Sequence, residues 1–148
     1  MSRRWDLHFL NIARETSKLS KDPSTQVGAV VVSRNRNILS SGYNGFPRGV
    51  LDTPSRYADR EQKYKYTVHA EQNVIYNATY NGVSLNGADL YVYGLPVCSE
   101  CAKGVIQVGI SKVVMPKLEY PKKWFDSWQN TKELFREAKV DWKFIEVS

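Results

Sequence analysis

Cysteine is scarce in this chain: of 148 residues only Cys98 and Cys101 are cysteines, in a Cys-x-x-Cys spacing. So close a pair cannot staple a secreted scaffold, which excludes a disulfide-framed fold and leaves a metal clamp or a redox couple. Histidine is equally scarce, with only His8 and His69. No stretch reaches the run of about 20 apolar residues that a membrane-spanning helix needs. The opening segment, MSRRWDLHFLNIARE, lacks the apolar core and small-residue cleavage site of a signal peptide. A soluble, cytoplasmic protein with no membrane partner is expected. Internal repeats, low-complexity tracts and linkers are also missing. A length of 148 residues at 42% hydrophobic composition suits a single domain, 1–148, with its own core. The net charge of +6 is a mild bias towards anionic partners, too scattered to choose between nucleotides, nucleic acid and acidic surfaces.

Apolar residues at helical spacing (Trp5, Phe9, Ile12, Ala13, Thr16 and Leu19) predict a first helix with one buried face. The β-branched run QVGAVVVS (26–33), the turn RNRN and NILSSGY (37–43) predict a β-hairpin. The Gly- and Pro-punctuated polar stretch that follows, to residue 66, reads as a long loop. A helix is expected from an N-cap at Thr67 to Asn81, then a strand over 88–94, a short helix over 99–109 and a strand over 111–116. An aromatic, basic loop (117–128), a helix near 129–139 and a strand over 141–147 complete the chain. Alternation of strands and helices favours right-handed crossovers and parallel pairing, with only the hairpin antiparallel. The expected fold is α/β: a three-layer α/β/α sandwich with a five-stranded mixed sheet.

Cys98 and Cys101 fall at a helix start, where free backbone N–H groups and the positive end of the dipole stabilise thiolates. Cys-x-x-Cys lets two sulfurs hold one tetrahedral ion from one helical turn. A redox couple needs no histidine, whereas a zinc site needs a third ligand from elsewhere. His69, at the start of another predicted helix, is the candidate; His8 has no partner motif. Three ligands leave the fourth corner open to water, the arrangement of a catalytic rather than a structural zinc. Glu71, two residues beyond His69, can reach that corner without binding the metal and carry protons between water and a substrate nitrogen.

HAE at 69–71 and PVCSEC at 96–101 resemble the H-x-E…P-C-x-x-C signature of the zinc-dependent cytidine deaminase superfamily, with Val97 inserted between Pro96 and Cys98. Within it, DPSTQVGAVVV (22–32), SGYNGFPRG (41–49), YKYTVHAEQNVI (64–75) and CSECAKGVIQVGISKVV (98–114) are similar in order and spacing to deoxycytidylate (dCMP) deaminases. The resemblance covers nearly the whole chain and is weakest after residue 120. It implies hydrolytic removal of the 4-amino group of dCMP, giving dUMP, the thymidylate precursor, and ammonia. It also implies one catalytic Zn2+ on His69, Cys98 and Cys101, with Glu71 as proton shuttle. It further implies a homohexamer activated by dCTP and inhibited by dTTP, with Mg2+ accompanying a triphosphate effector.

Thr25 and the backbone at Ala70 resemble the base-recognition positions of that family. Asn44 is a candidate to hold a sugar hydroxyl, or simply the asparagine of an Asn-Gly turn. Lys117 and Tyr120 are candidates for the nucleotide phosphate, or members of a solvated basic loop. Gly42, Tyr43, Asn44 and Gly45, with Arg48, serve either the substrate or an effector site at a subunit interface. Two other readings stand beside this one. The aromatic residues Trp124, Phe125, Trp128 and Trp142 suit a deaminase of nucleic-acid bases, although no dense basic stripe is present and no nucleic-acid partner is expected. dCTP is a second candidate substrate. A redox or structural-zinc module, with His69 and Glu71 as helix caps, lacks the fourth ligand that a structural zinc requires.

Overall fold

The computed structural model describes residues 2–147. The five β-branched or small residues of β1 (Gly28–Val32) are buried on both faces, which makes it an interior strand. It pairs with β2 (Ile38–Tyr43) on one side and β3 (Asp89–Tyr93) on the other, antiparallel to both. Beyond β3, β4 (Lys112–Pro116) and β5 (Asp141–Ile145) continue in parallel, so the order is β2-β1-β3-β4-β5. The five-stranded mixed sheet is as expected, but the hairpin is not its only antiparallel pair. The crossover from β2 to β3 lands one place further along and leaves β1 between them, as a single reversed strand.

Alternation along the strands separates two cores. Val30, Val32, Tyr91 and Val114 face Phe9, Leu10 and Ala13 of α1 (Ser2–Ser17). Ala29, Val31, Leu90, Val92, Val113 and Met115 face the helices that connect the parallel strands. Leu19 departs from the expected apolar face: α1 stops at Ser17 and the leucine is 63% exposed. Two glycines allow close approach of helix to sheet. A Cβ on Gly28 would lie 2.1 Å from the carbonyl oxygen of Ala13, and one on Gly42 would lie 2.6 Å from the backbone nitrogen of Val74.

The expected loop after β2 contains two short helices, α2 (Pro54–Ala58) and α3 (Arg60–Tyr66). Thr53 caps the first, with proline in its first turn, and Asp59 caps the second by accepting from the N–H of Gln62, whose side chain returns a bond to it. Tyr57, buried, stacks on Phe46 at 4.5 Å and pins this segment down. Thr67 terminates α3 instead of opening the next helix. Val68 pairs with Gly45 in an isolated bridge, which keeps 67–69 extended and delays α4 (Ala70–Tyr80), capped by His69. After α5 (Ser99–Gln107) and β4, the aromatic loop is also largely helical: a 3-10 turn at Lys122–Trp124 runs into α6 (Phe125–Ala138). No helix among the described residues is long and apolar enough to cross a membrane.

Candidate metal centre and its cavity

Two helix starts meet here. His69 is the N-cap residue of α4 and makes no side-chain capping bond, so its ring is free to point elsewhere. Cys98 is the N-cap of α5, its sulfur accepting from the N–H of Cys101 at 3.4 Å. The Nδ1 of His69 lies 3.4 Å from the Sγ of Cys98 and 3.3 Å from the Sγ of Cys101. The ligating atoms of all three residues lie within 4.8 Å of one another. Tetrahedral zinc with ordinary Zn–S and Zn–N bonds sets a sulfur–nitrogen edge of about 3.5 Å, so the donor set fits the ion in chemistry and in spacing. Among the described residues no fourth histidine, cysteine or carboxylate joins the group.

α6 braces the cysteine turn from outside. The Ser127 hydroxyl accepts from the N–H of Ser99 at 2.9 Å, and the Thr131 hydroxyl donates to the carbonyl of Val97 at 2.8 Å. Val97, the residue inserted before the first cysteine, is wholly buried in the core. The extra residue is thus absorbed by packing, and the sulfurs keep their places.

With no metal bound, the thiol of Cys101, opposed by burial and helped by His69, holds Cys98 down to about 4. The Cys101 proton, shared with that thiolate and desolvated, is held well above the usual thiol range. His69 is raised by its bond to Cys98, against burial. Glu71 is 4% exposed, and burial pushes its carboxyl up to about 7, offset in part by His69 and by the N–H groups of Glu71 and Cys98. A carboxyl poised near neutrality beside the three donors is what a proton carrier needs.

His69, Cys98 and Glu71 line a cavity of about 540 Å³, as do Ala70, Thr25 and Asn44. The expected base-recognition positions are therefore at the site. Asn44 is largely committed to backbone: its Oδ1 accepts from the N–H of Val27 at 2.8 Å and its Nδ2 donates to the carbonyl of Thr25 at 3.0 Å. One amide N–H and one lone pair remain for a ligand. Lys117 and Tyr120 lie outside the cavity lining: the first pairs with Glu146 at 3.6 Å, and the second bonds to the carbonyl of Pro116. Gly42, Tyr43, Gly45 and Arg48 are likewise not in the lining. Arg48 reaches outward to Asn77 at 2.5 Å and lies over the ring of Tyr80 at 4.5 Å.

The lining also holds residues that the sequence did not single out, Arg60, Lys63 and Tyr64 from α3, Lys123 from the 3-10 turn and the buried Asp22, together with Trp124. The capping pattern Asp59-x-x-Gln62 was the available signal for α3 and its cations. Nothing local marks Lys123 as facing the cavity.

Comparison with known proteins agrees with this geometry. Residues 3–117 match the family described as the cytidine and deoxycytidylate deaminase zinc-binding region. An uncharacterised deaminase of Aliivibrio fischeri is 41% identical over 143 residues, covering 95% of this chain and 93% of that protein. The deoxycytidylate deaminase of Mus musculus is 40% identical over 121 residues, covering 78% of this chain and 66% of its own length. The dCMP deaminase of cyanophage S-TIM5, solved with dCMP and dUMP, superposes with a TM-score of 0.74 at 24% identity, over 98% of this chain and 99% of that one. At that identity the likeness is one of fold.

Proposed function

Because the chain belongs to the cytidine and deoxycytidylate deaminase family, we propose that it hydrolyses dCMP to dUMP and ammonia. The observation that carries this reading is the His69–Cys98–Cys101 cluster, two of whose members line a cavity together with buried Glu71. His69, Cys98 and Cys101 would hold Zn2+, which supplies Lewis acidity and with it a water acidic enough to attack at neutral pH.

Glu71 takes the proton of the attacking water, delivers it to N3 of the cytosine ring, and then assists protonation of the departing 4-amino group. Water adds at C4, the C4–N4 bond breaks, and ammonia leaves, so no oxidant or second substrate is needed. The Thr25 turn and the Ala70 backbone, which line the cavity, are the groups this reading assigns to the base. Arg60 and Lys123, both cationic residues of the cavity lining, are the groups this reading assigns to the 5′-phosphate. They are preferred for it here over Lys117 and Tyr120 because those two do not line this cavity. Activation by dCTP, inhibition by dTTP and a homohexameric assembly belong to the same reading and rest on the resemblance alone.

The test is ammonia release by the zinc-loaded protein from dCMP, dCTP, deoxycytidine and cytidine, each with and without dCTP or dTTP. Preference for dCMP is expected. Equal rates on the nucleoside would remove the phosphate from the reading, and release from none of the four would end it.

A further inference from the structure

Asp22 is a buried carboxylate away from the metal cluster, and its four donors join two separate segments. Its Oδ1 accepts from the N–H of Ser24 at 2.9 Å, the hydroxyl of Ser24 at 3.1 Å and the N–H of Thr25 at 3.1 Å. The Nζ of Lys63, from α3, lies 2.9 Å from the same oxygen and donates to the Ser24 hydroxyl at 2.7 Å. Both side chains are largely withdrawn from water, at 2% and 15% exposure, so removing either would leave the other a buried charge without its ion-pair partner. The chain of bonds continues inward. The Thr25 carbonyl accepts from Asn44, whose Oδ1 holds Val27 and whose own carbonyl accepts from the Ser20 hydroxyl at 2.8 Å.

We propose that Asp22 and Lys63 form a positioning latch that sets the separation between α3 and the Thr25 turn, and so the grip of the cavity on its ligand. The inference rests on the deaminase reading above. Asp22, Ser24, Thr25, Asn44 and Lys63 all line the cavity, and the latch ties its mouth helix to its base-facing wall. It also neutralises Lys63, so the rim cations free for an anionic ligand are Arg60 and Lys123. The latch touches neither the metal ligands nor Glu71, so its effect belongs to binding rather than to proton transfer.

The experiment compares the zinc-loaded full chain with Asp22→Asn, Lys63→Met, the double variant and Lys63→Arg, measuring kcat, KM, zinc content and thermal midpoint. Each single variant is expected to raise KM about tenfold with kcat nearly unchanged, the signature of lost uniform binding. The double variant is expected to be no worse than the worse single, because both remove one coupled pair. Lys63→Arg, which retains the charge, is expected to restore most of the affinity. A fall in thermal midpoint with KM unchanged would make the pair a fold staple only, and additive losses would mean two independent residues. If Asp22→Asn does not fold, Lys63→Met against Lys63→Arg decides the matter alone. The variants are scored on whichever cytosine compound the wild type deaminates, so a failure of dCMP as substrate is seen separately.

Discussion

His69 and Cys98 occupy the same position, the N-cap, of two helices that pack on one face of the sheet, and their side chains meet at 3.4 Å. Neither residue is brought to the other by anything local. β3 lies between the helices in sequence; in space α4 packs on β2 and β1 and directly against α5, and that helix–helix contact brings their first turns together.

Replacing Glu71 by Gln removes the proton carrier and leaves the metal donors intact. Zinc is expected to remain at one ion per chain while kcat falls by about 10²–10⁴. Metal analysis alongside ammonia release checks this, and loss of zinc with activity would contradict the assignment. In the wild type, Glu71 must be ionised to accept a proton, so activity should fall on the acid side. Burial places its carboxyl at about 7 with no metal bound. A neighbouring cation lowers that value, so the acid limb should turn below about 7.

Zinc binding should release protons. In the metal-free site the Cys101 thiol is held well above its usual range and keeps its proton, His69 is shifted up by its bond to Cys98, and Cys98 is already a thiolate. Coordination requires both sulfurs as thiolates and a neutral imidazole, so zinc affinity should weaken as pH falls, with the Cys101 proton expelled on binding. Titration calorimetry in buffers of different ionisation enthalpy counts the protons released; a count of zero would mean that these residues are not the ligands.

The two glycines of GYNG should respond oppositely to alanine. A Cβ on Gly42 meets the backbone of Val74 and Asn73, at 2.6 and 2.9 Å, and neither can rotate away. Gly42→Ala should cost about 1–3 kcal/mol by overpacking. At Gly45 the nearest atom to an added Cβ is the Tyr57 hydroxyl at 3.8 Å, so Gly45→Ala should be near neutral. Denaturant unfolding of the two variants would show whether this contrast holds.

Thr131→Val keeps the shape of a fully buried side chain but strands the carbonyl of Val97, the residue just before the first cysteine. A loss of about 1–3 kcal/mol is expected for an unsatisfied buried acceptor. Weaker zinc retention against a chelator should accompany it, since the same bond steadies the cysteine turn. Unchanged retention would mean that α6 braces the core and not the metal centre.

Apolar periodicity does not reveal every helix of this chain. α3 carries Arg60, Glu61, Gln62, Lys63 and Lys65 and has no buried residue, so periodicity is silent while its capping residues are not. α6 begins four residues before its expected start because it opens without a capping side chain, directly from a 3-10 turn. Thr67 looked like a cap because threonine commonly is one. The bridge between Gly45 and Val68, a contact across more than twenty residues, moved the helix start to His69. The reversed strand was misjudged for the same kind of reason: pairing partners follow from where a crossover lands, not from what a strand contains.

The amino-acid sequence by itself determined the chemical groups of the site and their local spacing. One helical turn fixes how far Cys98 stands from Cys101, and the first turn of α4 fixes how Glu71 stands to His69. Tertiary structure decided everything that spans elements: the meeting of two helix starts, the burial that raises Glu71, and the cavity wall drawn from Asp22, α3 and the turn before α6. Helical geometry is a property of neighbouring residues and can be read in a short window. Burial and juxtaposition arise only when distant segments exclude water from one another.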